Sequence, residues 1–154
     1  MAIEIERRFL VVNSSWRESA EAPRQFRQAY LALTGQASIR IRIVEKAEAY
    51  MTIKSAQAEI ERLEFEYSIP VEDAETLMEM RSGNMIEKQR HIVSCGNARW
   101  EIDVFSGVLA GLVIAEIELP DRDMQFSRPD WLGAEITTDK RYSNASLAIH
   151  GLPQ

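Results

Sequence analysis

The chain has 154 residues, 45% of them hydrophobic and 27% charged, a composition that predicts one globular domain over residues 1–154. Its 18 Lys and Arg against 24 Asp and Glu give a net charge of −6, which argues against a broad basic surface for nucleic acid or anionic lipid. One cysteine and two histidines offer neither an intrachain disulfide nor a thiolate or imidazole metal cage. Any metal site must therefore use carboxylates.

No apolar run approaches the roughly 18 residues of a membrane span. The chain opens with Glu4 close behind Met1, where a signal peptide would carry a basic and then an apolar stretch. We therefore expect a cytoplasmic protein whose partners include neither nucleic acid nor membrane. The oligomeric state stays open, with a homodimer as one alternative.

A period of two dominates the chain. Between residues 3 and 9, Glu4, Glu6 and Arg8 fall on one face of a predicted strand and Ile3, Ile5 and Phe9 on the other. Residues 26–33 predict a second strand. The same alternation predicts further strands at residues 39–43, 51–54, 63–69, 100–104 and 115–119 and around Lys88 and Arg90. Eight strands are thus predicted.

Four segments break this period. Residues 14–20 begin with capping serines, and residues 71–78 follow a proline with apolar side chains at helical spacing, so both segments predict helices. Weaker patterns predict short helices at residues 121–126 and 143–149, the second ended by a glycine. The fold class is therefore α+β, with strands dominant and no second domain.

The charged side chains form same-sign pairs, two residues apart on one strand face. The acidic pairs are Glu4/Glu6, Glu64/Glu66, Glu101/Asp103 and Glu116/Glu118, and the basic pairs are Arg40/Arg42 and Lys88/Arg90, with Arg8 and Lys54 as single cations. Like charges about 7 Å apart on a strand repel one another, so the pattern costs stability unless opposite charges or ligands face them. Such a cost is typical of a functional site.

Two architectures fit this pattern. About eight antiparallel strands closed into a barrel would turn the charged set inward, and helices would cover the apolar set from outside. The alternative is a plain sandwich with its charges in solvent, but same-sign pairing on six strands favours the barrel. In such a lumen carboxylates would hold Mg²⁺ or Mn²⁺, while arginine and lysine would clamp phosphates. The pattern therefore points to a polyphosphate substrate.

The motifs resemble those of the CYTH superfamily, the triphosphate tunnel metalloenzymes. Residues 4–8 resemble the family's N-terminal E-x-E-x-K strand. The family's later motifs follow in order as Arg40-Ile41-Arg42, Thr52-Ile53-Lys54-Ser55, Glu64-Phe65-Glu66, Lys88-Gln89-Arg90, Glu101-Ile102-Asp103, Glu116-Ile117-Glu118 and Asp139-Lys140-Arg141-Tyr142. The resemblance extends to about Leu147. It implies an eight-stranded antiparallel β-barrel, a tunnel open at both ends with a charged lumen and helices outside.

The resemblance also implies roles for individual residues. The catalytic set would be Glu4, Glu6, Lys88 and Arg90. The triphosphate would be bound by Arg8, Arg40, Arg42, Lys54, Lys88, Arg90 and Lys140. Divalent metal would be bound, directly or through water, by Glu4, Glu6, Glu64, Glu66, Glu101, Asp103, Glu116 and Glu118.

We therefore expect a Mg²⁺- or Mn²⁺-dependent hydrolase that acts on a small-molecule triphosphate, with inorganic tripolyphosphate first, through metal-activated water. The alternatives within the family are an adenylate cyclase that converts ATP to cyclic AMP and pyrophosphate, and a thiamine triphosphatase. Arg8 stands where the family motif has lysine. Arginine keeps the positive charge but cannot give up its proton. This departure motivates a third alternative, a non-catalytic barrel that binds polyphosphate or nucleotide.

Overall fold

The computed structural model describes residues 3–56 and 59–154. The predicted domain begins at Met1, but Met1 and Ala2 lie outside the described residues. The elements are β1 (Ile3–Val11), β2 (Arg24–Leu33), β3 (Ala37–Val44), β4 (Glu48–Ser55), β5 (Glu61–Ile69), α1 (Val71–Met78), β6 (Ser82–Cys95), β7 (Ala98–Phe105), β8 (Val113–Glu118), β9 (Leu132–Glu135) and α2 (Asn144–His150). Short 3₁₀ helices cover Ser15–Ser19, Gly107–Leu109 and Lys140–Tyr142.

The strands form one antiparallel sheet that closes on itself. Their order is β5-β4-β3-β2-β6-β7-β8-β1-β9, and β1 also pairs with β5. Residues 3–5 of β1 make that closing contact, and on the same edge Phe9 and Val11 pair with β9 instead. The predicted eight-stranded antiparallel barrel is confirmed, with β9 as an added short strand.

Outside the barrel, alternation along the strands leaves two apolar surfaces to be covered. Phe9, Trp100 and Ile117 pack beneath Trp131 and the loop that precedes it. Across the barrel, Ala74 and Met78 of α1 lie with Ile41, Ile43, Ala29 and Ala49 of the neighbouring strands. Both surfaces exclude water, so the charged sides of these strands have only the lumen to occupy. Of the helices in the described parts of the chain, none is long and apolar enough to cross a membrane.

Helix α2 covers one end of the lumen. Its Leu147 and Ala148 are fully buried in a cluster with Ile86, Phe105 and Ile114. These last three residues have the same parity as the charged lumen residues of β6, β7 and β8, and their side chains therefore point inward. The expected tunnel, open at both ends, is thus filled with apolar side chains at this end.

Two local predictions need correction. Residues 121–126 are not helical, because the Asp121 carboxylate accepts a hydrogen bond from the backbone of Asp123 and Phe126 packs edge-on against Phe9 and Trp100. Residues 14–20 contain a 3₁₀ helix, Ser15–Ser19, in place of an α-helix. The predicted helices at residues 71–78 and 143–149 match α1 and α2.

Strand β9 was not predicted, since its sequence lacks alternation. It forms because β1 still has a free edge beyond residue 5, where β5 has diverged. Gly133 permits the close approach: a Cβ there would lie 2.7 Å from a methyl of Val12 and 2.8 Å from the Leu10 carbonyl oxygen.

The contact between β6 and α2 can be tested at Gly83. Its φ is +78°, and an added Cβ would lie 2.6 Å from the carbonyl oxygen of Ala148. Gly107 also has a positive φ, +64°, but open space around it. We expect Gly107→Ala to lower the free energy of unfolding by about 1 kcal/mol through backbone strain. Gly83→Ala should cost about 2 kcal/mol more through the clash with α2. Urea unfolding measures both, and equal losses would contradict the placement of α2.

Candidate functional site

The barrel encloses a cavity of about 590 Å³. Most of its lining is charged, and it includes all the predicted site residues except Lys88 and Asp103. The predicted residues in the lining are Glu4, Glu6, Arg8, Arg40, Arg42, Lys54, Glu64, Glu66, Arg90, Glu101, Glu116, Glu118 and Lys140. The barrel thus brings together side chains that lie far apart in the sequence.

Lys88 and Asp103 lie behind this lining. Both side chains are fully buried, and the Lys88 Nζ is 2.7 Å from one Asp103 oxygen. Arg90 donates two further hydrogen bonds to Asp103, from Nε at 2.8 Å and from Nη2 at 2.9 Å. Although burial opposes the shift, Arg90 and Lys88 hold the pKa of Asp103 well below its usual value.

The structure therefore differs from the prediction at these two positions. Both oxygens of Asp103 are engaged by cations, which leaves this carboxylate to orient Arg90 and not to meet a metal. Lys88 likewise has no surface through which to touch a ligand in the cavity. The charged alternation identified the correct strand faces, but it could not indicate how deep along the barrel each pair lies.

The basic wall of the cavity is formed by β3. Arg40 donates to the Thr52 hydroxyl at 3.1 Å, and Arg42 donates to the Gln28 side-chain oxygen at 2.9 Å. Within the described part of the chain, neither guanidinium has an ion-pair partner, and the buried Nε of Arg40 has no hydrogen-bond partner. Burial, together with the positive charges of Arg40 and Arg90, lowers the pKa of Arg42 to about 9. This wall holds positive charge that the protein does not neutralise.

A mixed wall lies on β1 and β8. Arg8 contacts Glu116 at 3.3 Å and donates to the backbone carbonyl of Tyr142 at 2.8 Å. Its buried Nη2 finds no partner among the described residues. Burial raises the pKa of Glu116, but Arg90 and Arg8 outweigh that effect and lower it to about 2. Glu116 is therefore ionised and shared between two guanidiniums.

A third cluster joins β1, β4 and β5. The Lys54 Nζ lies 3.0 Å from a Glu4 oxygen and 3.3 Å from a Glu64 oxygen. Arg62 lies 3.8 Å from Glu4 and also lines the cavity. Arg62 was missed because the predicted strand began one residue too late. It lies two residues before Glu64, so extending the alternation backwards would have found it.

Glu6, like Glu66 and Glu118, is a carboxylate of the cavity that forms no ion pair within the part of the chain that the structure describes. Burial, and then the negative charge of Glu116, raise its pKa to about 8. The pKa of Glu118 is raised as well, by burial and by Glu4. This corner therefore holds carboxylates that an added cation would stabilise.

The acidic corner suits a hard divalent cation in its donor chemistry. Over residues 3–56 and 59–154, no three His, Cys, Asp or Glu side chains form a ready-made metal cage. Mg²⁺ needs no such cage, because it usually takes one or two carboxylates and completes its octahedron with water and substrate phosphates. The unpaired oxygens of Glu6, beside Glu118, meet that requirement.

Comparisons with known proteins agree with a site for a phosphate compound and a cation. A family model described as the CYTH domain matches residues 2–151. An inorganic triphosphatase from Acetivibrio thermocellus is 40% identical over 148 residues, 96% of this chain and 94% of that protein. One from Nitrosomonas europaea is 37% identical over 150 residues, 95% of this chain and 97% of that protein. A crystal structure of an inorganic triphosphatase superposes with a TM-score of 0.70 at 34% identity, covering 97% of this chain and 99% of the other.

The unpaired state of Glu6 predicts how stability depends on pH. Its pKa rises from the usual 4.5 to about 8 on folding. The folded protein therefore keeps a proton that the unfolded chain releases, and without metal its stability falls as pH rises from about 4.5 to 8. We expect Glu6→Gln to remove this fall, making the variant more stable than the wild type at pH 8.5 by at least about 1 kcal/mol.

Urea unfolding in EDTA at pH 6 and pH 8.5 measures this difference. Glu87→Gln, on the exposed outer side of β6, is the matched control and should follow the wild type. If wild type and Glu6→Gln lost stability equally between the two pH values, Glu6 would not be the uncompensated group.

Proposed function

The chain belongs to the CYTH domain family, and we propose that it is a single-domain, Mg²⁺- or Mn²⁺-dependent enzyme that hydrolyses inorganic tripolyphosphate in the barrel lumen. The observation that carries this proposal is the unbalanced charge on two sides of one cavity. Over residues 3–56 and 59–154, Arg40 and Arg42 form no ion pair with a carboxylate, and Glu6 forms none with a cation. A triphosphate with a divalent cation supplies both missing charges at once. The family is one of metalloenzymes, so the need for a divalent cation follows from membership.

The basic wall would bind the triphosphate. Arg40 and Arg8 each have a buried N–H group without an acceptor, and a phosphate oxygen is the acceptor such groups prefer. Lys140, at the exposed start of a 3₁₀ helix, would meet the outer end of the chain of phosphates.

Arg90 would act on the phosphoryl group that is transferred. Its guanidinium is held by Asp103 through two bonds and lies at the cavity surface. A fixed cation of this kind stabilises the negative charge that develops on the phosphoryl oxygens in the transition state. Lys88 would support Arg90 from behind, through Asp103, without touching substrate.

The acidic side would hold the cation. Glu4, Glu6, Glu116 and Glu118 would be its main carboxylates, and Glu64, Glu66 and Glu101, which also line the cavity, would contribute directly or through water. A bound divalent metal lowers the pKa of its water and polarises a phosphoryl oxygen. Glu6 would help to hold this cation, because it forms no ion pair within the described residues.

An assay with three substrates tests this function. The purified protein is incubated with tripolyphosphate, thiamine triphosphate or ATP in Mg²⁺, Mn²⁺ or EDTA, and orthophosphate, pyrophosphate and cyclic AMP are measured. We expect metal-dependent release of orthophosphate, fastest from tripolyphosphate. Cyclic AMP with pyrophosphate from ATP would indicate the cyclase. A folded protein that binds tripolyphosphate without turnover would support the non-catalytic barrel.

The basic wall can be tested at Arg40. Arg40→Ala removes an unneutralised charge from the lumen, so the KM for tripolyphosphate should rise at least about tenfold. Arg27→Ala is the matched control: Arg27 lies on the outer side of β2, paired with Glu75. It should leave KM and kcat within about twofold of the wild type. A normal KM in Arg40→Ala would place this arginine outside the substrate site.

A further inference from the structure

Strand β2 differs from its neighbours in the barrel wall. It pairs with β3 on one side and with β6 on the other, and each of these strands carries two cations into the barrel. The inward residues of β2 itself, Phe26, Gln28 and Tyr30, are all uncharged and all buried. These three neutral side chains separate the four cations of β3 and β6, while Arg24 at the exposed start of β2 pairs with Glu48.

Gln28 lies at the centre of this strand and is fully buried. Its oxygen accepts the Nε–H of Arg42 at 2.9 Å, and its NH₂ group donates to the Asn144 oxygen at 3.2 Å. The same Asn144 oxygen lies 3.4 Å from the Nζ of Lys88. Neither cation can accept a hydrogen bond, so the two amides are forced into one orientation, with their oxygens towards the cations.

The aromatic ring of Phe26 supports the same arrangement. Its centroid is 4.8 Å from the guanidinium carbon of Arg42 and 4.8 Å from that of Arg90. A ring face attracts a cation without neutralising its charge. Arg90 has carboxylate partners besides, whereas Arg42 is held by the amide and the ring alone. The positive charge of Arg42 thus stays available to a ligand.

We propose that Gln28 is a positioning residue. Its hydrogen bond, supported by Asn144 of α2, orients the Arg42 guanidinium towards the anion in the lumen. Because Gln28 is uncharged, this bond does not neutralise the charge of Arg42. This inference rests on the proposed function and adds to it a residue, Gln28, that sets the affinity of the basic wall for the anion. A carboxylate at this position would hold Arg42 equally well but would neutralise it. An apolar side chain would leave Arg42 charged but would no longer hold its guanidinium in one orientation.

Two variants separate these effects. Gln28→Glu should raise the Kd for sodium tripolyphosphate, measured by calorimetry in EDTA, at least about twentyfold, because it pairs with Arg42. Gln28→Met, of similar volume, should raise it about fivefold. With metal, KM should rise in the same order while kcat changes less than about threefold. Gln89→Glu, on the exposed face of β6, is the matched control and should bind as the wild type does.

A double-mutant cycle tests whether Gln28 acts through Arg42. In an Arg42→Gln background, Gln28→Met should change Kd by less than about twofold. A purely packing role predicts instead the same loss in both backgrounds and a fall in Tm without a selective loss of affinity. Should Gln28→Met fail to fold, Asn144→Ala removes the brace and should raise Kd about threefold in the wild type alone.

An NMR measurement tests the orientation of Arg42 without any ligand. The Nε–H signal of Arg42, assigned by its disappearance in Arg42→Lys, should be protected from solvent exchange in the wild type and lose that protection in Gln28→Met. An unchanged signal, or tripolyphosphate binding by Gln28→Glu at the wild-type Kd, would overturn the proposal. A wild type that binds tripolyphosphate but never hydrolyses it would overturn the proposed function and leave the role of Gln28 standing.

Discussion

The closure of one sheet into a barrel is the constraint on which the rest of this molecule depends. Three residues of β1 pair with β5, and that contact joins the two edges of a sheet that would otherwise lie open. Once it is closed, the apolar sides of the strands are covered by α1 and by the loop that carries Phe126, so the charged sides share one confined space. Many of the charges that repel along one strand then meet opposite charges from other strands, as Arg90 meets Asp103 and Lys54 meets Glu4, whereas Arg40 and Arg42 form no ion pair within the described residues.

The lumen does not balance its charges uniformly. Asp103, Lys88 and Arg90 form a dense network behind and beside the cavity, in which each charge has a partner. Arg42 and Glu6, by contrast, form no ion pair within the described residues, although Lys54 and Arg8 lie near enough to Glu6 to oppose the rise of its pKa. We propose that the unbalanced positions supply the affinity for an anion and a cation. Binding sites built in this way trade some stability of the empty protein for affinity.

The C-terminal segment ties the two halves of the cavity together. The Tyr142 carbonyl accepts from Arg8, Asn144 contacts both Gln28 and Lys88, and Leu147 closes the apolar end of the lumen. Cations from three separate strands are therefore oriented by a few consecutive residues. The packing of α2 and the geometry of the charged site are therefore coupled, because a shift of this segment would break its contacts with Arg8, Gln28 and Lys88.

Much of this protein was determined by local sequence pattern. A period of two places Glu4, Glu6 and Arg8 on one strand face whatever the tertiary structure, and same-sign pairing on six strands is enough to predict a charged lumen and a polyphosphate ligand. The triphosphate was implied only by the resemblance of the ordered motifs to the CYTH family. Depth and partnership were decided only by the tertiary structure. Lys88 and Asp103 follow the same alternation as Arg90 and Glu101, yet the stagger of the strands buries the first pair and exposes the second. Gln28 carries no charge, and its contacts were decided by strand register and helix packing: Arg42 lies opposite it on β3, and Asn144 comes from α2.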